Sequence, residues 1–558
     1  MPTKKATAAP SSQDTKSNSP LTADFNTTAA TPVDPAFAGE LLPPGADVDS
    51  LKGKRFVITA AQNNTAVNEN FLKSLETYCG ANNAQLLAIP FVYNPKPGFK
   101  KADVAYDPKI QKYLFNKSAD ITKDLTLCGE VNVSPTVANP LTGFDNYCHG
   151  ASGIIASPQV ALKSLPGLGA GNARFLYTTG AVTERNYSDA KAGKMASEHH
   201  TYGALLVEVD KDGNFFVRQL TADPTGAFQD LTDKYTPDGK VLHDQPVEAI
   251  ELGDIHVEKT DPVQESIAFG KGGIMDTMKP KYLFLQDIMD FTARNHHDID
   301  DPFFRAEEKA RGNTVEGGID LVAAWLKEHQ SPDRQDIVVA SNHNEFFQRW
   351  LTEADARYDV DNARFWHECC AERLRQIEAG NYGFDIFEWA VRQKANLPQA
   401  TFLQENDSFK ICKDEPGGGI ECAMHGHEGA NGSRGSPAGF RTLGEKCNTA
   451  HTHTAGIVGD IYTAGVQGDL DMEYNKGPSS WSHSHVITYP DGARAIITTV
   501  DGKWRADDVK HDPMPLPTLA DVNGTPAAAN GNTPQDQKAE AAAKKRSAPP
   551  APRKIAVP

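Results

Sequence analysis

The sequence predicts an α/β protein, on three observations. From residue 247 onward, short apolar runs that read as buried strands alternate with polar loops and helices; the strands fall at 247–252, 282–285, 337–340, 420–424 and 446–450. Before them, 54–60 reads as a strand and 85–92 as another. Between these two, Phe71, Leu72, Leu75 and Tyr78 lie at helical spacing, so the chain opens as a βαβ unit of a parallel sheet. Third, five polar clusters recur, each just after one of the later strands. They are Asp254-Ile255-His256, Asp287 to Asp290, Asn342-His343, His425 and His451-Thr452-His453.

Taken in order, residues 1–50 are rich in Ala, Thr, Ser, Pro and Asn. They carry too little apolar surface to offset the entropy of ordering, so a disordered N-terminal tail is expected. Residues 51–245 are expected to form a separate N-terminal α/β domain whose role the sequence does not state. Its opening turn lacks a GxGxxG pattern, so no dinucleotide is inferred. Within it, 204–209 and 215–220 flank Asp210-Lys211-Asp212-Gly213-Asn214 as a β-hairpin, and 235–240 reads as a turn. Residues 246–510 hold the five clusters and form the expected catalytic domain. A helical insert at about 345–400 carries Trp350, Phe365, Trp366 and Trp389 at core-like spacing, and 486–499 reads as a closing hairpin. Residues 511–558 are expected to form a second disordered tail, rich in Pro, Ala and Lys and read as a solvated basic end.

The 558 residues are 39% hydrophobic and carry a net charge of −17. That sign does not suggest a protein wrapped in nucleic acid through bulk charge, although bound divalent cations supply positive charge locally. Eight cysteines at irregular spacing, with no CxxC pair, point to a reducing compartment. The start, Met1-Pro2-Thr3-Lys4-Lys5, leads into a polar stretch, so no secretory signal is expected. No apolar run approaches the ~18 residues that span a bilayer, so no membrane span is expected.

The clusters are built from metal-ligand types. Asp254 and His256 lie two apart, so an extended strand end turns both toward one ion. Asp287 is placed to bridge two ions, roughly 3.5–4 Å apart in such centres. Asn342 offers a neutral amide oxygen. His451 and His453, again two apart, reach one ion each, and His425 completes the set. Mixed oxygen and nitrogen donors suit two divalent ions, Mn²⁺ first, with Mg²⁺, Zn²⁺ and Fe²⁺ as alternatives.

In order and spacing the clusters resemble the calcineurin-like metallophosphoesterase family. Its pattern runs D-x-H, G-D-x-x-D, G-N-H-[DE], a lone H and G-H-x-H. Here the motifs read Gly253-Asp254-Ile255-His256, Gln286-Asp287-Ile288-Met289-Asp290, Ser341-Asn342-His343-Asn344, His425, and Ala450-His451-Thr452-His453. The resemblance covers about 247–505. It implies a four-layer αββα sandwich, preceded here by the additional α/β domain. It also implies one ion on Asp254, His256, Asp287 and His453, and a second on Asp287, Asn342, His425 and His451. A hydroxide activated by both metals then attacks the phosphodiester, with His343 stabilising the transition state or serving as general acid.

Four departures stand out. Gln286, Ser341 and Ala450 replace glycines, which is expected to alter loops without removing a ligand. Asn344 replaces the acid that normally orients the histidine, a part that Glu345 is placed to take. Asp290 is expected to orient ligands rather than bind metal, and His427 is a rival to His425 or a substrate group. Arg434, in the Gly-rich run 429–436, is a candidate phosphate contact. His483 and His485 are read as strand residues at the rim, and His296-His297-Asp298 with Asp300-Asp301 as a solvated loop.

A further similarity is to early proteins of T5-like bacteriophages associated with degradation of host DNA. It rests on 55–63, the metal motifs and Gly477-Pro478-Ser479-Ser480-Trp481. It implies a metal-dependent deoxyribonuclease in the host bacterial cytoplasm, with DNA as substrate. The sequence leaves open a homo-oligomer and a phage or host protein partner. Two other readings stand beside it, a small-substrate phosphodiesterase or phosphatase and a non-catalytic phage regulator.

Overall fold

The computed structural model describes residues 47–93, 104–295, 301–414, 418–472 and 475–518. Apart from 47–50 and 511–518, the two expected tails lie outside them, as do His296, His297, Asp298 and Asp300. Residues 48–50 differ from the expected tail. They begin the 3₁₀ turn Val48–Leu51, capped by the Asp47 side chain, and Leu51 is buried.

The protein is mixed α/β with several sheets. The described chain divides into two compact units. The larger takes in 47–287, 331–342 and 401–514, and the smaller 288–330, 343–400 and 515–518.

In the larger unit the expected βαβ opening is present. Strand Arg55–Gln62 pairs in parallel with Ala84–Phe91, and helix Glu69–Asn82 connects them. Asn68 caps that helix by accepting from Phe71 N at 3.0 Å, and Asn83 closes it at φ 50°. The hairpin Gly203–Val209/Phe215–Thr221 adds two strands, of which Gly203–Val209 pairs antiparallel with Arg55–Gln62, so this four-stranded sheet is mixed.

A six-stranded sheet runs in the order 400–402, 335–338, 282–285, 249–251, 484–488, 494–498. A ten-stranded sheet draws on both halves of the sequence. Strands between 118 and 178 supply five members and strands between 410 and 463 supply the other five. The join is antiparallel, with Gly456 opposite Lys163 and Ile457 opposite Leu162. One apolar cluster runs from Leu51, Phe56 and Ile58 through Val207 and Val217 to Ala450, Ile457, Val486 and Ile496. Residues 51–245 and 401–510 therefore share sheets and core, and the division expected near 245 does not mark a separate packing unit. The physical reason is that strands on each side of 245 leave an edge and an apolar face that strands on the other side cover.

In the smaller unit lie the expected helices at about 345–400, seen as Asn342–Glu353, Ala363–Glu378 and Ile386–Lys394. Helices Pro302–Arg311 and Val315–His329 were not read from the sequence. Asp301, expected in a solvated loop, is the N-cap of the first of these, accepting from Phe303 N at 2.8 Å with Pro302 following it. Trp350 is buried and stacks on Phe365 with ring centroids 6.4 Å apart. Trp366 and Trp389 are only half-buried.

Candidate metal centre

Three neighbouring parallel strands point their carboxyl ends at one place. Ala249–Glu251 pairs with Tyr282–Leu285, which pairs with Gln335–Val338. Just past those ends come Asp254, Asp287 and Asn342. In the ten-stranded sheet, Ile420–Glu421 and Lys446–Thr449 are likewise parallel, and just past them come His425, His451 and His453. Crevices outside the carboxyl ends of parallel strands are where α/β proteins place ligands.

Main-chain hydrogen bonds tie the clusters together. Ile255 N donates to Gln286 O at 3.0 Å and His256 N to Asp287 O at 2.9 Å. Ala450 N donates to His425 O at 2.7 Å, and His451 N to Asp254 Oδ1 at 3.2 Å. Gly253 permits the first of these clusters to seat. A Cβ there would lie 2.5 Å from Val466 N, and the close approach lets Asp254 O accept from Gln467 N at 2.8 Å.

The backbone is held in the left-handed region at four of these positions: His256 (φ 48°), Asp287 (43°), His451 (69°) and His453 (54°). None is glycine. Such conformations cost roughly 1–3 kcal/mol each and persist where the surroundings over-determine them, typically at functional sites.

The side chains converge. Single ligand atoms of Asp254, His256, Asp287 and His453 all lie within 4.8 Å of one another, and so do those of Asp287, His425 and His451. Asp287 belongs to both groups. His453 Nε2 is 2.9 Å from Asp254 Oδ2, and His425 Nε2 is 3.2 Å from Asp287 Oδ2. His256 Nε2 and His453 Nε2 face each other at 3.1 Å. Two ring nitrogens aimed at one point gain at most a single shared proton, so the pairing has little structural value by itself. Asp254, His256, Asp287, His425 and His453 are buried and His451 half-buried. Carboxylates and imidazoles gathered this densely out of water could hold a cation, which would supply compensating charge. Asn342 Oδ1 adds to the fit: it is buried with no hydrogen-bond partner among the described residues. The donor set suits a divalent ion of borderline or hard character.

The electrostatics agree with that donor role. Burial works against charge on Asp254, but His425 and His453 outweigh it and hold the carboxyl below its ordinary range. Burial, assisted by His425, lowers His451 to about 4, and burial lowers His453 as well. Both are thus neutral at pH 7, the form that binds metal. His425 is raised: its burial is overcome by Asp287 and Asp254.

His427 is half-buried, with its ring 5.4 Å from that of His425 and its Nε2 3.9 Å from Glu405. Arg434 is exposed, in a β-bridge with Glu428. Asp290, His343 and Glu345 belong to the smaller unit. There His343 Nδ1 donates to the main-chain oxygen of Asp290 at 2.8 Å, while Thr292 Oγ1 donates to its carboxylate.

Four further contacts were not expected. Gln286, read as a lost glycine, lies fully buried and accepts from His425 Nδ1 at 2.9 Å. Its polarity in an otherwise apolar strand end was the available signal. His485 Nδ1 accepts from Gly253 N at 3.1 Å and His483 Nε2 donates to Gly468 O at 2.9 Å, so both brace the Asp254 loop. Trp481 meets the His453 ring edge-on at 4.1 Å.

Compared with known proteins, the chain is 41% identical over 472 residues to Protein A1 of Escherichia phage T5, spanning 82% of this chain and 83% of that protein. It belongs to the Protein A1 family. No family model matches the chain, and no solved structure matches its fold. Among the described residues, no helix of this Protein A1 relative is long and apolar enough to cross a membrane.

Proposed function

We propose that the protein is a divalent-metal-dependent phosphodiesterase of the metallophosphoesterase kind, cleaving host DNA in the bacterial cytoplasm early in phage infection. The observation that carries this reading is the pair of buried donor groups sharing Asp287. One group, Asp254, His256, Asp287 and His453, would hold one ion. Asp287, Asn342, His425 and His451 would hold the other, with Mn²⁺ the preferred species. Two such ions supply a nucleophile at neutral pH and charge neutralisation for the phosphodiester. Two large sheets within one unit support a sandwich arrangement of the metallophosphoesterase type. The resemblance to phage early proteins and the family of Protein A1 support the setting.

The chain's own residues contribute orientation and proton handling. The hydrogen bond from His343 Nδ1 to Asp290 O orients the ring, and His343 is the residue assigned to a phosphate oxygen or the leaving group. Asp290 thereby orients His343 rather than binding metal. Burial of Asp254, His256 and Asp287 excludes water from the donor cluster and strengthens each interaction within it.

The decisive experiment incubates the purified protein with plasmid DNA in Mn²⁺, Mg²⁺, Zn²⁺ or chelator. Cleavage is expected with Mn²⁺ and none with chelator. Asp287→Asn is expected to abolish cleavage and metal uptake together. His343→Ala should lower kcat by ~10²-fold or more with Mn²⁺ affinity kept. Undiminished DNA cleavage by both variants would refute the reading. Turnover of bis(p-nitrophenyl) phosphate without cleavage of DNA would instead select the small-substrate enzyme.

A further inference from the structure

Gln286 stands between two buried groups. Its side-chain Oε1 faces His425 Nδ1 at 2.9 Å, and its Nε2 donates to Glu251 Oε1 at 2.9 Å. All three residues are buried, Gln286 with no exposed surface. An amide can be turned over, exchanging its donor and its acceptor. As placed, the amide nitrogen donates to Glu251 Oε1 and the amide oxygen faces the histidine. An amide oxygen only accepts. In the neutral imidazole, the form that binds a cation, His425 must therefore carry its proton on Nδ1, which leaves Nε2, 3.2 Å from Asp287 Oδ2, as the ligating atom. Were the amide reversed, the proton would move to Nε2 and that atom could not ligate a cation.

We propose that Gln286, anchored by Glu251, is a positioning residue that locks His425 in the tautomer and ring orientation needed to bind one of the two ions. The inference rests on the metal-centre reading above. It gives the glutamine that stands where the metallophosphoesterase pattern has glycine a specific purpose. A glycine leaves His425 to find another partner for Nδ1, whereas the glutamine builds that partner into the strand end beside Asp287. Outer hydrogen-bond partners of metal-ligating histidines are worth about 10–100-fold in metal affinity.

The test is calorimetric titration of the full chain with Mn²⁺ alone, with thermal melting as the check on folding. Wild type is expected to take up two ions. Gln286→Leu keeps the bulk and removes the acceptor. It should weaken one binding step by ~10–100-fold and leave the other within about threefold. Gln286→Glu keeps an acceptor toward His425, with one proton shared between the new carboxyl and Glu251. It should restore the weakened step to within about tenfold of wild type, and it decides the matter if Gln286→Leu does not fold. Wild-type affinity at both steps in a folded Gln286→Leu protein would overturn the proposal while leaving the metal centre standing. So would a glutamate variant as weak as the leucine variant, or weakened by more than tenfold when tested alone. Absence of any Mn²⁺ uptake by wild type is the separate outcome that removes the phosphodiesterase reading, and this inference with it.

Discussion

At Gly253 a single methyl group would collide with main chain. The added Cβ would sit 2.5 Å from Val466 N and 2.6 Å from Gly465 C, with no flexible side chain to yield. Gly253→Ala is expected to destabilise by about 1–3 kcal/mol, read as a lower urea midpoint, and to weaken Mn²⁺ binding because Asp254 is displaced. A second residue-scale effect is acid sensitivity. Burial, with Arg185 nearby, holds the His200 imidazole down at about 3, while its Nδ1 meets Tyr187 OH at 2.7 Å. The folded pKa lies below the unfolded value of about 6.5, so the unfolded chain binds the extra proton. Stability from this group is full above pH 6.5 and falls as pH drops toward 3, by about 2 kcal/mol at pH 5. His200→Gln should flatten the urea midpoint between pH 7.5 and pH 5, and an unchanged slope would show that His200 is not the responsible group. Much at this scale was legible in the sequence. The types and order of Asp254, His256, Asp287, Asn342, His425, His451 and His453 carried the reading because ligand chemistry resides in residue type. What Gln286 does was not legible, because a hydrogen bond to a histidine 139 positions away leaves no local pattern.

At the scale of elements, the strands before each cluster were readable from their apolar runs, and the helix Glu69–Asn82 from its spacing and its Asn68 cap. Asn68→Ala is expected to cost about 1 kcal/mol, measured by thermal melting. The hairpin Gly203–Val209/Phe215–Thr221 was readable too, but not the charge it buries. Arg218 lies across it, donating from Nη1 to Glu208 at 2.8 Å and from Nε to Asp230 at 2.7 Å. Burial disfavours charge on Glu208, yet Arg218 and Arg55 overcome it and bring the carboxyl down to about 2. Arg218→Ala leaves Asp230 uncompensated and Glu208 with Arg55 alone, and is expected to destabilise by roughly 3–5 kcal/mol, seen in denaturant unfolding. Strands 118–122, 125–128, 152–155, 162–165 and 174–178 went unread, being four or five residues long and without clean alternation. The helices Pro302–Arg311 and Val315–His329 were missed despite their caps at Asp301 and Thr314, because a run of polar residues in front drew attention to a loop.

For the whole molecule, ligand linkage sets the expectation. Ions that bind the folded centre and not the unfolded chain should stabilise it by about 2.7 kcal/mol at a hundred times Kd. Differential scanning calorimetry with Mn²⁺ against chelator should show a higher Tm with the metal in wild type and none of that gain in Asp287→Asn. What the sequence did not reveal here is the sharing of sheets across residue 245. Local patterns announce a strand but not its partner, and the partners in this case are far apart.

That distance has a consequence for how the chain is made. Ser164 Oγ reaches Ala455 O across 291 positions, alongside the strand pairing of Leu162 with Ile457. On the ribosome, the first half of the widest sheet emerges long before its closing half is translated, and its open edge must wait. A nascent chain cut short before Gly456 should therefore aggregate or occupy a chaperone, and only release of the nearly finished polypeptide should yield soluble protein.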